Sequence, residues 1–430
     1  MFDLYLLTFN CARTLVDPQS LSRSLFDALP KGAPVPDLVA ISLQEISPIA
    51  YSFLGGSHLK PYFDRITTTV QLAADLHSHG SEELEHVATR SLGMTGLMIF
   101  AKPKLVERIQ WIQSAGAGVG FANMGNKGAI AMRVGISRPG SADTLNLTFV
   151  AAHLAPMESN ISARNKDWEN LVRNLVFVND DDSAYSASEV TPLLASPPSL
   201  PPSDHDGMFA DGNYVFFYGD LNYRTHDAPP GPDDHKTYPQ PTSSETSPKH
   251  YSQFLKQDQL AREKEANRTL HGLQELSIDF PPTYKYATPK DGGAKPAHGP
   301  STTDDVWNWS KHRYPSWCDR ILFSSPGPNS ELEPIKYTAL PVQATSDHRP
   351  VALFLRVNDR TVSGDEGHVV SRPPFPINAQ WKSRRDAARR SEVIVGVLSY
   401  LALTSTGRAI LVAFIGAVLG GLWLTSRLRN

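Results

Sequence analysis

An α/β sandwich is the fold class this 430-residue sequence predicts. Three observations point there. Short apolar runs alternate with helical patterns through the first 357 residues. Several strand-like runs neighbour one another without a helix between them, which does not suit a simple doubly wound sheet. The 40% hydrophobic content is enough for one large core or two ordinary domains.

Taken in order, the strand-like runs fall at residues 4–9, 38–43, 95–100, 129–134, 145–151, 214–218, 320–323 and 351–355. The first follows Met1 almost directly and has no basic n-region, so it reads as a buried strand and not as a secretory signal. Asp17-Pro18 opens a helix toward Leu29, with Asp as N-cap and Pro in the first turn. Helical patterns follow over 62–76, 160–178 and 250–267. Two stretches, 180–211 and 225–249, are rich in Pro, Ser and Asp and longer than ordinary connections. They read as insertion loops.

The net charge is −3, so there is no basic excess of the kind that marks a nucleic-acid binder. An anionic substrate would have to meet a local basic site. Cys11 and Cys318 are too few and too far apart for a disulfide framework. Neither has an Arg six positions later, since position 17 is Asp and position 324 is Ser, and a cysteine phosphatase loop is excluded. No Gly-x4-Gly-Lys-Ser/Thr loop is present either.

The C-terminal part has a different character. A polar, Pro-rich linker leads into a basic stretch with Lys382, Arg384, Arg385, Arg389 and Arg390, so that 358–392 reads as linker. From 393 to 425 the only charge is Arg408, and 409–425 is wholly uncharged. That length falls within the range of a spanning helix. The larger positive count on its N-terminal side predicts a cytosol-facing globular part held by a single-pass tail anchor. A buried core helix would be apolar in the same way.

Polar clusters sit at the ends of the predicted strands. Asn10 ends the first and Glu45 follows the second, and a carboxamide with a carboxylate suits a hard cation such as Mg²⁺. In Tyr218-Gly219-Asp220-Leu221-Asn222-Tyr223-Arg224, Asp220 and Asn222 stand two apart and share a face if the strand continues. An Asx-rich turn accounts for that segment equally well when it is read alone. Ser346-Asp347-His348 supplies a ligand and a phosphate donor, and Asp319 in Ser316-Trp317-Cys318-Asp319-Arg320 is able to fix the His348 tautomer. A structural Asp-Arg pair is the bland reading of that second segment. Lys127 in a Gly-flanked loop, Lys285 between Tyr284 and Tyr286, and Arg224 give local positive charge for a polyanion.

In this order the motifs TFN, LQE, GNKGA, HLAPM…RNKDW, FFYGDLNYR, FPPTYKY, RYPSWCDRIL and SDHRP resemble the inositol polyphosphate 5-phosphatase family, from Phe2 to about Leu355. The whole chain is similar to fungal tail-anchored members of the endoplasmic reticulum that act on phosphatidylinositol 4,5-bisphosphate. The resemblance implies a four-layer sandwich of the DNase I type over 1–357. It implies that Asn10 and Glu45 bind Mg²⁺ and that Asp220, helped by Asn222, orients or deprotonates the attacking water. His348, supported by Asp319, would grip the scissile phosphate, Asp347 would complete the polar site, and His153 would stabilise the transition state. Lys127, Arg164, Tyr223, Arg224, Tyr284 and Lys285 would contact substrate phosphates. Pro156, Met157 and Ala129 depart from the family pattern. Other readings are a soluble inositol polyphosphate 5-phosphatase, a nuclease of the same superfamily, a catalytically dead phosphoinositide tether, and an anchor in the outer mitochondrial or peroxisomal membrane.

Overall fold

The computed structural model describes residues 1–179, 206–242, 244–288, 306–326, 332–359 and 373–428. Two six-stranded sheets face each other. The first has the order β11 (Leu332–Ala339), β12 (Val351–Val357), β1 (Phe2–Asn10), β2 (Leu38–Gln44), β4 (Thr95–Ala101), β3 (Glu85–Leu92). The second runs β10 (Asp319–Ser324), β9 (Asn213–Asp220), β7 (Thr144–His153), β6 (Gly128–Ser137), β5 (Ile109–Gly118), β8 (Val178–Asn179). Helices among the described residues are α1 (Pro18–Leu21), α2 (Ile49–Leu54), α3 (Lys60–Ser78), α4 (Pro103–Val106), α5 (Ile161–Asn174), α6 (Ser252–Leu255), α7 (Gln259–Glu265), α8 (Trp381–Leu403) and α9 (Ser405–Leu428).

Strand alternation sorts side chains between layers. Leu4 and Leu6 point into the core between the sheets, where they join Leu97, Ile99, Met132, Phe149 and Phe216. Tyr5, Leu7 and Phe9 point to the other face and pack with Phe63, Ile66 and Val70 of α3. On the far side, Val150, Val215 and Phe217 pack with Trp168 and Leu171 of α5. Burial on both faces is why β1 and β2 are near-continuously apolar. The result is the predicted four-layer sandwich, helix–sheet–sheet–helix.

Every strand run read from the sequence is a strand. β3, β5 and β11 lie outside those runs, because their alternation is interrupted by charged or polar residues such as His86, Gln110 and Lys336 on partly exposed faces, and the helix expected over 160–178 stops at Asn174, with Val178 in the short strand β8. The helix expected from Asp17 to Leu29 is a single turn, Pro18–Leu21, capped by Asp17 and continued by turns. The helix expected over 250–267 is split into α6 and α7, with Asp258 capping the second. Residues 180–205 of the first expected insertion lie outside the described residues. The second insertion is held in place: Trp309 donates to the Pro239 carbonyl (2.6 Å), Gln240 donates to that of Trp307 (3.0 Å), and His226 stacks on Tyr314 with ring centroids 3.6 Å apart.

The segment read as linker and tail resolves into two helices. Asn378 bonds to Arg173 and Asn174 of α5, and α8 then crosses the domain against α2. At Thr404 the backbone becomes extended (ψ 150°), and its hydroxyl accepts the Gly407 N–H (2.9 Å) to start α9. The apolar side chains of α9 are exposed, Phe414, Leu419, Leu422 and Trp423 among them, and its mean hydropathy is 2.1 over the most apolar 18 residues. A buried core helix is thereby ruled out for α9. Its 24 residues reach about 36 Å, enough to cross a bilayer.

Candidate active site

Register brings the polar residues to one end of the sandwich. β1 and β2 are parallel, with Asn10 opposite Gln44, so Asn10 and Glu45 emerge side by side. In the facing sheet β7 and β9 are also parallel, with His153 opposite Asp220. Antiparallel β10 enters with Asp319 opposite Asp220, and β6 enters with Gly128 opposite His153, which puts Lys127 at the same rim. His348 lies just before β12, the antiparallel partner of β1. Strands far apart in sequence thus deliver their terminal residues to one spot.

Backbone demands at this rim account for the glycine before Asp220. Gly219 has φ +156° and its α-carbon faces the Ala152 carbonyl, which a β-carbon would approach to 1.9 Å. Only glycine lets β9 stay paired to β7 up to Asp220. Glu45 (φ +46°) and Asn222 (φ +58°) adopt left-handed backbone where the strands turn away.

Asp220 is the centre of the cluster. Asn10 Nδ2 donates to its Oδ2 at 2.9 Å, His153 Nε2 lies 3.2 Å from the same oxygen, and His348 Nε2 lies 3.9 Å away. Its Oδ1 accepts the Asn222 N–H at 3.1 Å. Burial opposes ionisation, but His153, His348 and Lys127 hold the carboxyl well below the usual range. His348 Nδ1 sits 2.8 Å from Asp319 Oδ2, and Thr283 donates to that same oxygen at 2.6 Å. Burial disfavours the imidazolium, yet Asp319, Asp220 and Asp347 outweigh it and raise His348 to about 9. His153 is pulled both ways: burial and then Lys127 push it down, while the Asp220 carboxylate opposes them, and the Lys127 amine reaches its ring.

Around this centre, Arg224 donates to the side chain of Asn222 (2.6 Å) and lies over the Tyr284 ring, 4.5 Å from its centroid. Tyr284 packs on His348 (4.5 Å between centroids). Lys285 pairs with Asp347 at the mouth. Glu45 is held by Arg13 at 2.9 Å and stands 3.9 Å from Lys127.

The donor chemistry fits a hard divalent cation at Asn10 and Glu45. Both offer oxygens at neighbouring strand ends, and the Glu45 side chain is 23% exposed, so a partly hydrated ion has access. Asp220, Asp319 and His348 also place ligand atoms within 4.8 Å of one another. Asp220 Oδ2 and Asp319 Oδ2 already accept from Asn10 and Thr283, whereas Asp319 Oδ1 is buried with no hydrogen-bond partner among the described residues. Four carboxylates (Glu45, Asp220, Asp319, Asp347) stand among Lys127, Arg224, Lys285, His348 and Arg13, so most of the local positive charge is offset within the protein.

A family profile described as Endonuclease/Exonuclease/phosphatase family 2 matches residues 7–354. The chain belongs to this family. Curated relatives include type I inositol polyphosphate 5-phosphatase 13 of Arabidopsis thaliana, 26% identical over 73% of this chain and 27% of the relative. The polyphosphatidylinositol phosphatase INP53 of Saccharomyces cerevisiae is 27% identical over 77% of this chain and 24% of the relative. The chain thus spans about a quarter of the length of these relatives. In fold it is similar to the inositol polyphosphate 5-phosphatase domain of SPsynaptojanin, crystallised with inositol (1,4)-bisphosphate and calcium (TM-score 0.57, 21% identity, 93% of each chain). The Arabidopsis relative and the synaptojanin domain carry the name that the ordered motifs suggest.

Within this Endonuclease/Exonuclease/phosphatase chain, two residues expected at the substrate bond to the protein itself. Arg164 is fully buried, and its guanidinium donates to the carbonyls of Ala155, Met157 and Glu158 and to Gln259 (2.6 Å). It holds the loop after His153 from beneath. Tyr223 is equally buried, with its hydroxyl bound to Thr269 and Asn165. Their place beside phosphate-reading motifs has a physical cause: both shape loops that the site needs. Met157 stands half exposed at the rim with its sulfur 3.2 Å from Arg313. We expect Arg164→Ala to strand buried carbonyls and cost about 3 kcal/mol. Thermal unfolding will show the loss while KM stays within twofold; a KM rise at unchanged Tm would return Arg164 to the substrate.

Three contributors were not anticipated: Thr283, which fixes Asp319; Ser346, whose hydroxyl donates to the Asn10 carbonyl at 2.6 Å; and Arg13, which steadies Glu45. Thr283 and Ser346 lie inside the motifs FPPTYKY and SDHRP, so the signal was there without its geometry.

Proposed function

We propose that this chain is a Mg²⁺-dependent phosphatase that removes the 5-phosphate of phosphoinositides, converting phosphatidylinositol 4,5-bisphosphate to phosphatidylinositol 4-phosphate. The observation that carries this reading is the meeting of one ionised, buried carboxylate (Asp220) with a carboxylate-supported, cationic His348 beside the Asn10 and Glu45 oxygens. Water attacks phosphorus in line with the ring oxygen, the P–O bond to inositol breaks, and the products are inorganic phosphate and the ring hydroxyl. Asp220 accepts a hydrogen bond from that water and aims it; so depressed a carboxyl orients better than it takes a proton. His348 donates to a phosphoryl oxygen, and Asp319 keeps it charged and turned. Lys127, Lys285 and Arg224 supply the positive field for the remaining phosphates. Asn10 and Glu45 would hold Mg²⁺, which would supply charge neutralisation for the phosphoryl group.

The full chain in detergent, given phosphatidylinositol 4,5-bisphosphate and Mg²⁺, should release phosphate. Its rate with the soluble head group at equal concentration should be lower. No release from any 5-phosphorylated inositide or soluble inositol phosphate would end the reading.

The apolar helix α9 supports a membrane anchor, with the catalytic domain on the cytosolic side. A fluorescent fusion of the full chain should outline the endoplasmic reticulum. A mitochondrial or peroxisomal pattern would refute that address.

A further inference from the structure

The helix that leads to the membrane segment is bonded to the catalytic loops. Glu392 of α8 is fully buried, an unusual place for a carboxylate. One oxygen accepts the backbone N–H of Gly125 at 2.8 Å, and the same carboxylate takes Arg385 (2.8 and 3.1 Å) and Arg389 (3.4 Å) from its own helix. Gly125 lies two residues before Lys127, whose amine reaches His153 and stands 3.9 Å from Glu45. Arg384 bonds Asn123 in the same loop at 2.9 Å.

The contact continues to the other wall of the site. The Gly125 carbonyl accepts the Met94 N–H (3.0 Å), and the Met94 carbonyl accepts the N–H of Ile46 (3.2 Å), the residue after Glu45. The next helix, α2, is gripped as well. Arg389 donates to the Phe53 carbonyl at 2.6 Å, and Gly396 sits so close that a β-carbon there would lie 3.0 Å from Phe53. Both segments that bring Glu45 and Lys127 to the site therefore rest on α8. A buried ion pair contributes little to stability for its cost, and its best-attested use is to fix register. Here it fixes α8 against Gly125.

We propose that α8 is a brace of the active site, with Glu392 as a positioning residue that holds the Lys127 loop and the Glu45 turn in their working geometry. This rests on the phosphatase reading for its kinetics but not for its structural half. The brace makes the membrane-proximal helix part of the catalytic unit.

The test uses the full chain in detergent with two substitutions. Glu392→Ala removes the acceptor and the ion pairs. Gly396→Val adds bulk against Phe53 and lifts α8 from α2 with no polar group changed. Each should lower kcat and raise the Mg²⁺ concentration at half-maximal rate by about tenfold, in the range seen when partners behind metal ligands are lost. KM for the lipid should move less than twofold. Glu392→Gln keeps an acceptor for Gly125 and should recover part of the rate. Hydrogen exchange, measured without metal, should quicken across 92–94 and 120–127 in both variants while the sheets stay protected. Wild-type exchange in Glu392→Ala would overturn the brace even if no activity is found. Faster exchange with unchanged kcat and Mg²⁺ dependence would overturn the positioning role.

Discussion

Asp220→Ala is expected to lower kcat for phosphate release by about 10³-fold or more, the range for removal of a central electrostatic and acid–base group. The size follows from the surroundings. Asp220 accepts from Asn10 and is flanked by His153 and His348, with its second oxygen on Asn222. Truncation removes the acceptor that aims the water. It also leaves Lys127, His153 and His348 crowding an uncompensated space. Asp220→Asn keeps the shape but turns two of four lone-pair sites into donors, and one would face the Asn10 amide. It should be nearly as inactive while unfolding at a temperature close to that of the wild type. Colorimetric phosphate release decides the matter. Residual activity above a tenth of wild type would mean another group performs the central role.

The second large effect concerns the imidazole–carboxylate pair. His348→Ala and Asp319→Ala should each cost about 10²-fold or more in kcat, and the double variant should be no worse than the worse single. Non-additivity follows because Asp319 acts through His348: their 2.8 Å bond is its link to the substrate. A pH profile gives an independent check. His348 is raised to about 9 by its carboxylate neighbours, so its donating form is complete near neutrality and is lost as pH climbs through 9. Activity should fall on that alkaline limb. Asp319→Asn removes one of the charges that raise it, and the limb should move down toward the ordinary imidazole value of about 6.5. A limb that stays in place would show that some other group titrates there.

How far the sequence alone reached can be judged residue by residue. Strands buried on both faces were legible because an unbroken run of short, branched and aromatic apolar residues suits the middle of a covered sheet, as β1, β2 and β9 show. Strands β3, β5 and β11 carry polar residues on faces that are only half covered, and they escaped notice. For the site, strand-end position singled out Asn10, Glu45 and Asp220, whereas His153 came only from the family resemblance. Arg164 and Tyr223 entered only through the family resemblance, which implies contact with phosphate. Three-dimensional packing has their polar atoms on carbonyls and side chains beneath the site. The basic stretch at 382–390 misled in a similar way. Arg385 and Arg389 look like a solvated membrane flank in sequence, yet they pair with Glu392, seven and three residues further on along the same buried seam.

The elbow at Thr404 bears on geography more than on chemistry. A loose tether between a catalytic domain and its anchor would let the domain sweep a wide hemisphere and touch a second bilayer. With α8 docked on the domain, the untethered distance from catalytic unit to α9 shrinks to one extended residue. With α9 in a bilayer, such an arm confines the enzyme to lipids of the leaflet it stands on. Opposing membranes at a close contact would then be out of range unless they came to it.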